Sequence, residues 1–178
     1  MKLTLPFIDL ATRHPGISDG IGLSFQEAAA VCLDRHHSSP ATFDIRDNAK
    51  ERQAELTWGV PDDNLKGAWA NEIDATEAGA CALALATVEL ARGLVAIRRA
   101  ETRSGADYYV DMPGTMPDDL ETAVRLEISG TSDPSSTVLE ARLKQKLAQT
   151  ARGASNLPAM AAVVGFAQSK ILSADLMT

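Results

Sequence analysis

Val124-Arg125-Leu126-Glu127-Ile128-Ser129-Gly130 is the stretch that decides how this chain of 178 residues is read. Val124, Leu126 and Ile128 alternate with Arg125, Glu127 and Ser129. That period of two puts apolar side chains on one face of a strand and polar ones on the other. Upstream, residues 94–101 and 106–111 read as two further strands, parted by the turn Thr102-Arg103-Ser104-Gly105. Residues 112–122, with two prolines and one glycine, form a longer loop before the third strand. Downstream, a loop at 130–135 leads to a basic helix at 136–151, with Ser135 or Ser136 placed to cap it. Leu139, Leu143 and Leu147 are its core-facing stripe, and Lys144 falls on a flank.

Working outward, residues 75–92 form a strong helix. Asp74-Ala75-Thr76-Glu77 is its capping signature and Gly93 its C-terminal stop. The unbroken apolar run at 161–166 marks a strand buried on both faces. Residues 171–177 fit helix and strand equally. The order helix, three strands, helix, strand predicts an α/β fold (α+β in a stricter scheme), with a mixed sheet of about four strands flanked by helices. Residues 1–70 read as an N-terminal elaboration. It holds a helix from the capping box Ser24-Phe25-Gln26-Glu27 to His36, stopped by Ser38-Ser39-Pro40. A hairpin of residues 42–46 and 54–60 follows, with the charged link 47–53 as its turn, and Pro61-Asp62-Asp63-Asn64 is a loop. Residues 71–178 are the core, and the two parts make one compact domain.

Hydrophobic residues make up 45% of the chain and charged residues 23%, ordinary for a globular protein. Aromatics are only 4%, so the core must be built from Ala, Leu, Val and Ile. The net charge of −7 argues against binding nucleic acid over the whole surface. The charge is uneven: residues 136–178 carry five basic and two acidic side chains. Cys32 and Cys81 fall inside apolar helical patterns, as buried free thiols do in a reducing compartment. The opening run, residues 1–9, is short and broken by Pro6 and Asp9, and 80–91 is too short to cross a bilayer, so a cytoplasmic protein without a membrane partner is expected. No phosphate loop, dinucleotide fingerprint, nucleophile elbow or zinc-ligand spacing occurs. His36-His37 reads as a solvated helix end, His14 as isolated, and Trp58 and Trp69 as core or interface anchors.

Gly93-Leu94-Val95-Ala96-Ile97-Arg98, Arg103-Ser104-Gly105-Ala106-Asp107 and Leu126-Glu127-Ile128-Ser129 together carry a resemblance, completed by Val163-Val164-Gly165-Phe166. Residues 74–166 resemble the PD-(D/E)xK nuclease superfamily, most of all Holliday-junction resolvases and restriction-type endonucleases. The resemblance implies a restriction-endonuclease-like sheet and hydrolysis of DNA phosphodiesters with Mg²⁺ or Mn²⁺. It puts Asp107 and Glu127 at the metal-binding positions and Glu77 at the acid that often comes from the first helix, with Glu89 second. DNA would lie against the basic helix 136–151. The family pattern has lysine two residues after the strand acid, where this chain has Ser129. Some branches supply that lysine from the following helix, which offers Lys144 and Lys146, and Lys144 is the favoured stand-in. If neither reaches the acids, the resemblance implies an inactive nuclease fold that serves as a binding or assembly subunit, with a protein partner or a second copy of the chain.

Each of these residues also has a plainer reading. Asp107 can fix the hairpin beside it through its side chain. Glu127 can be the polar side of a half-exposed strand paired with Arg125 or Arg99, and Glu77 a capping acid. Lys144 and Glu140 have the spacing of an ordinary helical ion pair.

Overall fold

The computed structural model describes residues 3–177, and residues 1, 2 and 178 lie outside that description. The described chain runs β1 (Leu3–Thr4), a 3-10 turn (Leu10–Thr12), α1 (Asp19–His36), β2 (Ala41–Asp47), β3 (Lys50–Leu56), α2 (Asp63–Ala68) and α3 (Glu72–Arg92). It continues through β4 (Val95–Arg99), β5 (Tyr108–Asp111), β6 (Val124–Thr131), α4 (Ser136–Ala151), β7 (Ala159–Gly165) and β8 (Lys170–Asp175). The fold is mixed α/β, but its sheet has eight strands among the described residues where about four were expected, in the order β1-β3-β2-β8-β7-β6-β5-β4. The difference comes from β1, the N-terminal hairpin β2–β3 and β8, which together extend the sheet. β8, the ambiguous segment of the sequence, makes the junction by pairing antiparallel to β7 and parallel to β2.

The C-terminal half of the sheet follows the expected order. β4, β5 and β6 pair antiparallel, and β6 then pairs in parallel with β7 across α4. α1 and α3 cover one face: Ala29, Cys32 and Leu33 of α1 and residues from Ala80 to Val88 of α3 pack with Leu126, Ile128, Ala162 and Val164. α4 covers the other face, where Leu139 and Leu143 join Ala161, Val163 and Leu172, with Leu147 at the margin. Every residue of β7 is buried, as its unbroken apolar run requires. Small side chains dominate the α1–α3 layer, so the scarcity of aromatics costs no packing. Trp58 is buried and Trp69 packs partly buried against the same core.

Element boundaries depart from expectation where a second capping residue competes. α1 begins at Asp19, capped by Ser18, whose Oγ accepts from the Ile21 N–H, so Ser24 lies in the second turn. α3 begins at Glu72, where Asn71 Oδ1 accepts from the N–H groups of Ile73 and Asp74. Glu77 therefore lies too far along the helix to be a capping acid. Asp62 is a helix cap and not a loop residue, its Oδ1 accepting from Leu65 at 2.8 Å. The hairpin turn is shorter than the expected charged link: Asp47 pairs with Lys50, and Asn48 takes a positive φ of 51°. Most of the first half of β3 is exposed, so its charged residues resemble a loop in sequence. Gly93 closes α3 in the left-handed conformation, φ 71°, as expected.

Candidate functional site

β5 is four residues long and β6 eight, and the mismatch makes the site. β5 pairs with β6 only from Val124 to Leu126, so from Glu127 onward no strand flanks that edge of β6 among the described residues. A cleft of about 470 Å³ opens there between α3 and α4. Its charged lining is Glu77 from α3, Arg99 and Asp107 from the β4–β5 hairpin, Glu127 from β6, and Arg142 and Lys146 from α4. Glu77, Ser129 and Arg142 also line an adjoining cleft of about 600 Å³ that continues along β6 to Asp133. Volume alone does not single out this place. A cleft of about 560 Å³ beside Trp58 has only Glu27 and Asp62 as charged groups, and Asp62 is committed to capping α2.

Asp107 sits immediately before β5. Its backbone N–H donates to the Leu126 carbonyl, and its Oδ2 accepts from the Ile128 N–H at 2.8 Å. The side chain thus replaces the strand that stops short, which realises the hairpin-fixing reading while leaving the carboxylate on the cleft wall. Arg99 approaches Oδ1 at 3.4 Å and stacks its guanidinium 4.7 Å from the centre of the Tyr108 ring.

Glu127 is buried, projects on the α4 side of the sheet and pairs with neither Arg125 nor Arg99. Its partner is Lys146, whose Nζ lies 2.7 Å from Oε1. Lys146 also donates to Gln149 Oε1 at 3.3 Å. Burial pushes the Glu127 carboxyl above the usual carboxylate range. The Lys146 hydrogen bond and charge pull it back, the Asp107 carboxylate pushes it up again, and the net displacement is upward. Two carboxyl groups close enough to perturb each other on adjoining strands are an oxygen-rich pair. Hard Mg²⁺ takes one or two carboxylates and keeps several waters, so this pair suits such an ion. Among the described residues no cluster of three or more His, Cys, Asp or Glu side chains fits around a metal ion, so any ion here would rest on these two carboxylates and solvent.

The lysine that meets Glu127 is not the expected one. Lys144 is exposed on α4, and Lys146, two residues later, reaches the acid. The stripe Leu139, Leu143, Leu147 fixes the helix rotation, and Lys146 precedes Leu147 on the side that overhangs β6. Glu140 is likewise not paired with Lys144 but holds Arg46 of β2 through two hydrogen bonds of 2.7 and 2.8 Å. Ser129 accepts from Arg142 Nη1 at 3.2 Å, so an α4 guanidinium meets the side chain two residues after Glu127. Glu77 is exposed at the rim, and Glu89 lies elsewhere, bonded to Arg13 and His14.

Sequence reasoning passed over three residues. Arg142 had no motif to mark it, although it shares a helix face with Lys146, four residues on. Cys81, expected to be buried, lines the cleft, and desolvation together with the nearby Asp107 charge pushes its thiol up to about 12, far from a reactive thiolate. His14, set aside as isolated, is fully buried, accepting from the Ala96 N–H at 2.9 Å and bonding Glu89 at 3.1 Å. Burial holds its pKa down despite Glu89, so His14 is a structural neutral imidazole. No described helix is long and apolar enough to cross a membrane. Comparison of the chain with protein-family models, with curated proteins and with solved structures gives no match.

Proposed function

We propose that the cleft is a metal-dependent phosphodiesterase centre of the PD-(D/E)xK kind, acting on DNA. The observation that carries the reading is the convergence of Asp107, Glu127 and Lys146 where β5 begins and the β6 edge is bare. The helix, three antiparallel strands, helix and parallel strand of residues 72–165 support it, because that order sets two acids on neighbouring strands and a cation on the following helix. Asp107 and Glu127 would hold Mg²⁺ or Mn²⁺, which supplies Lewis acidity toward a phosphodiester and its attacking water. The Ile128 N–H orients Asp107, and burial beneath α4 restricts Glu127. Lys146 and Arg142 bring positive charge to the wall facing those acids, where a phosphate oxygen gains negative charge during attack. DNA would follow the groove between α3 and α4, along the face of α4 that carries Arg142 and Lys146.

Incubation with plasmid DNA and Mg²⁺ or Mn²⁺ tests the activity. Nicking that disappears with chelator and falls at least 100-fold in Asp107→Ala and Glu127→Ala is the expected result, and no cleavage by the intact protein removes it. A second reading has its own observation: Ser129 occupies the lysine position, and Lys146 is bound to the very acid that an ion would need. On that reading the fold is an inactive binding or assembly subunit. DNA or protein capture without cleavage, unchanged by Asp107→Ala, favours it.

A further inference from the structure

Three carboxylates and three cations line the cleft: Glu77, Asp107 and Glu127 against Arg99, Arg142 and Lys146. Formally it is already neutral, and a divalent ion entering it meets a balanced site. The cations are not equivalent. Arg99 is stacked on Tyr108 and only grazes Asp107 at 3.4 Å, and Arg142 bonds a neutral hydroxyl. Lys146 alone makes a short ion pair, at 2.7 Å, with an acid proposed to take the metal. The Glu127 side chain in that pair is 6% exposed and that of Lys146 22%. An unpaired carboxylate so buried is costly, so something cationic must accompany it.

We propose that Lys146 is a tethered counter-ion occupying the seat of the divalent metal, and that binding proceeds by exchange of its ammonium for the ion at Glu127. This rests on the reading of Asp107 and Glu127 as metal ligands. Gln149 makes the exchange local, because its Oε1 is already 3.3 Å from Nζ and offers a neutral acceptor when Glu127 is taken. The lysine stem is held along α4, so the ammonium turns aside without leaving the cleft, where it meets the phosphate. A flexible lysine suits such exchange better than arginine, whose planar fork would hold the carboxylate in two bonds. Lys146 therefore opposes metal binding in the empty protein.

Calorimetric titration of the whole protein with Mn²⁺ at pH 8 and without DNA tests the exchange. Lys146→Met removes the charge and keeps the apolar stem, and it should tighten Mn²⁺ binding about 10-fold or more. Lys146→Arg should bind no tighter than the natural protein. Circular dichroism and thermal melting check that each variant is folded, and Lys146→Gln serves if the methionine variant is not. Unchanged or weaker Mn²⁺ binding in the folded neutral variants overturns the exchange while leaving the metal site standing, since Lys146 would then only position Glu127. Absence of Mn²⁺ heat in the natural protein and in all the variants overturns both the exchange and the metal site. A metal site without nuclease activity would still show the 10-fold gain, so the exchange is read independently of cleavage.

Discussion

Two clusters of charge are built from the same residue types and put to different ends. At the junction of the hairpin with the rest of the sheet, Arg92 of α3 donates to Asp47 of β2 at 2.6 to 3.2 Å and to Asp175 of β8 at 2.5 Å. Ser173 adds a bond to Asp47 at 2.9 Å, and Asn48 one to Asp175 at 2.8 Å. Asp47 is thereby enclosed, and that network borders no cleft described above. At the bare β6 edge, Glu127 has one short partner and Asp107 divides itself between a backbone N–H and a distant arginine. The first cluster is saturated and holds three elements together. The second is charge-balanced but sparsely bonded, and it faces a cleft. Buried charge by itself therefore does not distinguish the two clusters; spare acceptor capacity toward an opening does.

The contrast breaks most sharply at Arg92. Arg92→Met leaves Asp47 buried without its cation and should cost about 3 kcal/mol or more, the usual penalty for removing one partner of a buried pair. Urea unfolding measures it. Any Mn²⁺ affinity of the cleft should survive in the folded fraction. A loss below about 1 kcal/mol would mean that the network is no more structural than the cleft.

Gly130 probes the wall that separates the cleft from the core. A Cβ there would lie 2.6 Å from the Thr76 carbonyl oxygen and 2.8 Å from Ala80 Cβ, so α3 can pack on β6 only because this residue has none. Gly130→Ala should destabilise by about 2 kcal/mol through overpacking. It should also push the first turns of α3, and Glu77 with them, away from Glu127. Weakened Mn²⁺ binding in Gly130→Ala, together with unchanged binding in the Arg92 variant, would localise function to the second cluster.

The legibility of the sequence follows the same division. The C-terminal order of elements was readable because its strands alternate or run apolar and its helices carry caps. Leu126 and Ile128 of β6 and the Leu139–Leu143 stripe lie on the faces their periodicity predicts. The extension of the sheet was not readable. β8 has only six residues of mixed character, and its role as the bridge between halves depends on β2, more than a hundred residues earlier. Asp107 and Glu127, read from the sequence, do line one cleft, but which of Lys144 and Lys146 faces it turned on helix rotation. A difference of two residues is a swing of about 200° around an α-helix, which a coarse apolar stripe does not resolve when both flanks carry lysine. His14 was passed over because its partners, Ala96 and Glu89, are remote in sequence.

The smallest predicted effect is the one that most directly separates the clusters, because they respond to pH in opposite senses. Burial pushes Asp175 up, but the hydrogen bonds from Arg92 and Asn48 outweigh it and hold this carboxyl below its ordinary value. Its contribution is present above the unfolded pKa and is lost as pH falls through the lowered one. Glu127 is displaced upward, chiefly by burial, so in the window between the ordinary carboxylate range and its raised pKa the folded protein keeps a proton that the unfolded chain has released. Stability from this group therefore declines as pH rises through that window and stays lower above it. Glu127→Gln removes the titration while leaving an oxygen for Lys146. Melted without metal, in the presence of chelator, it should gain on the natural protein as pH rises from 4 to 8. The His14 contribution, common to both proteins, cancels in the difference. A natural protein that instead gains on Glu127→Gln over that range would show the Lys146 ion pair outweighing desolvation. The cleft would then be a structural network like the one at Arg92, built for stability and not held ready for an ion.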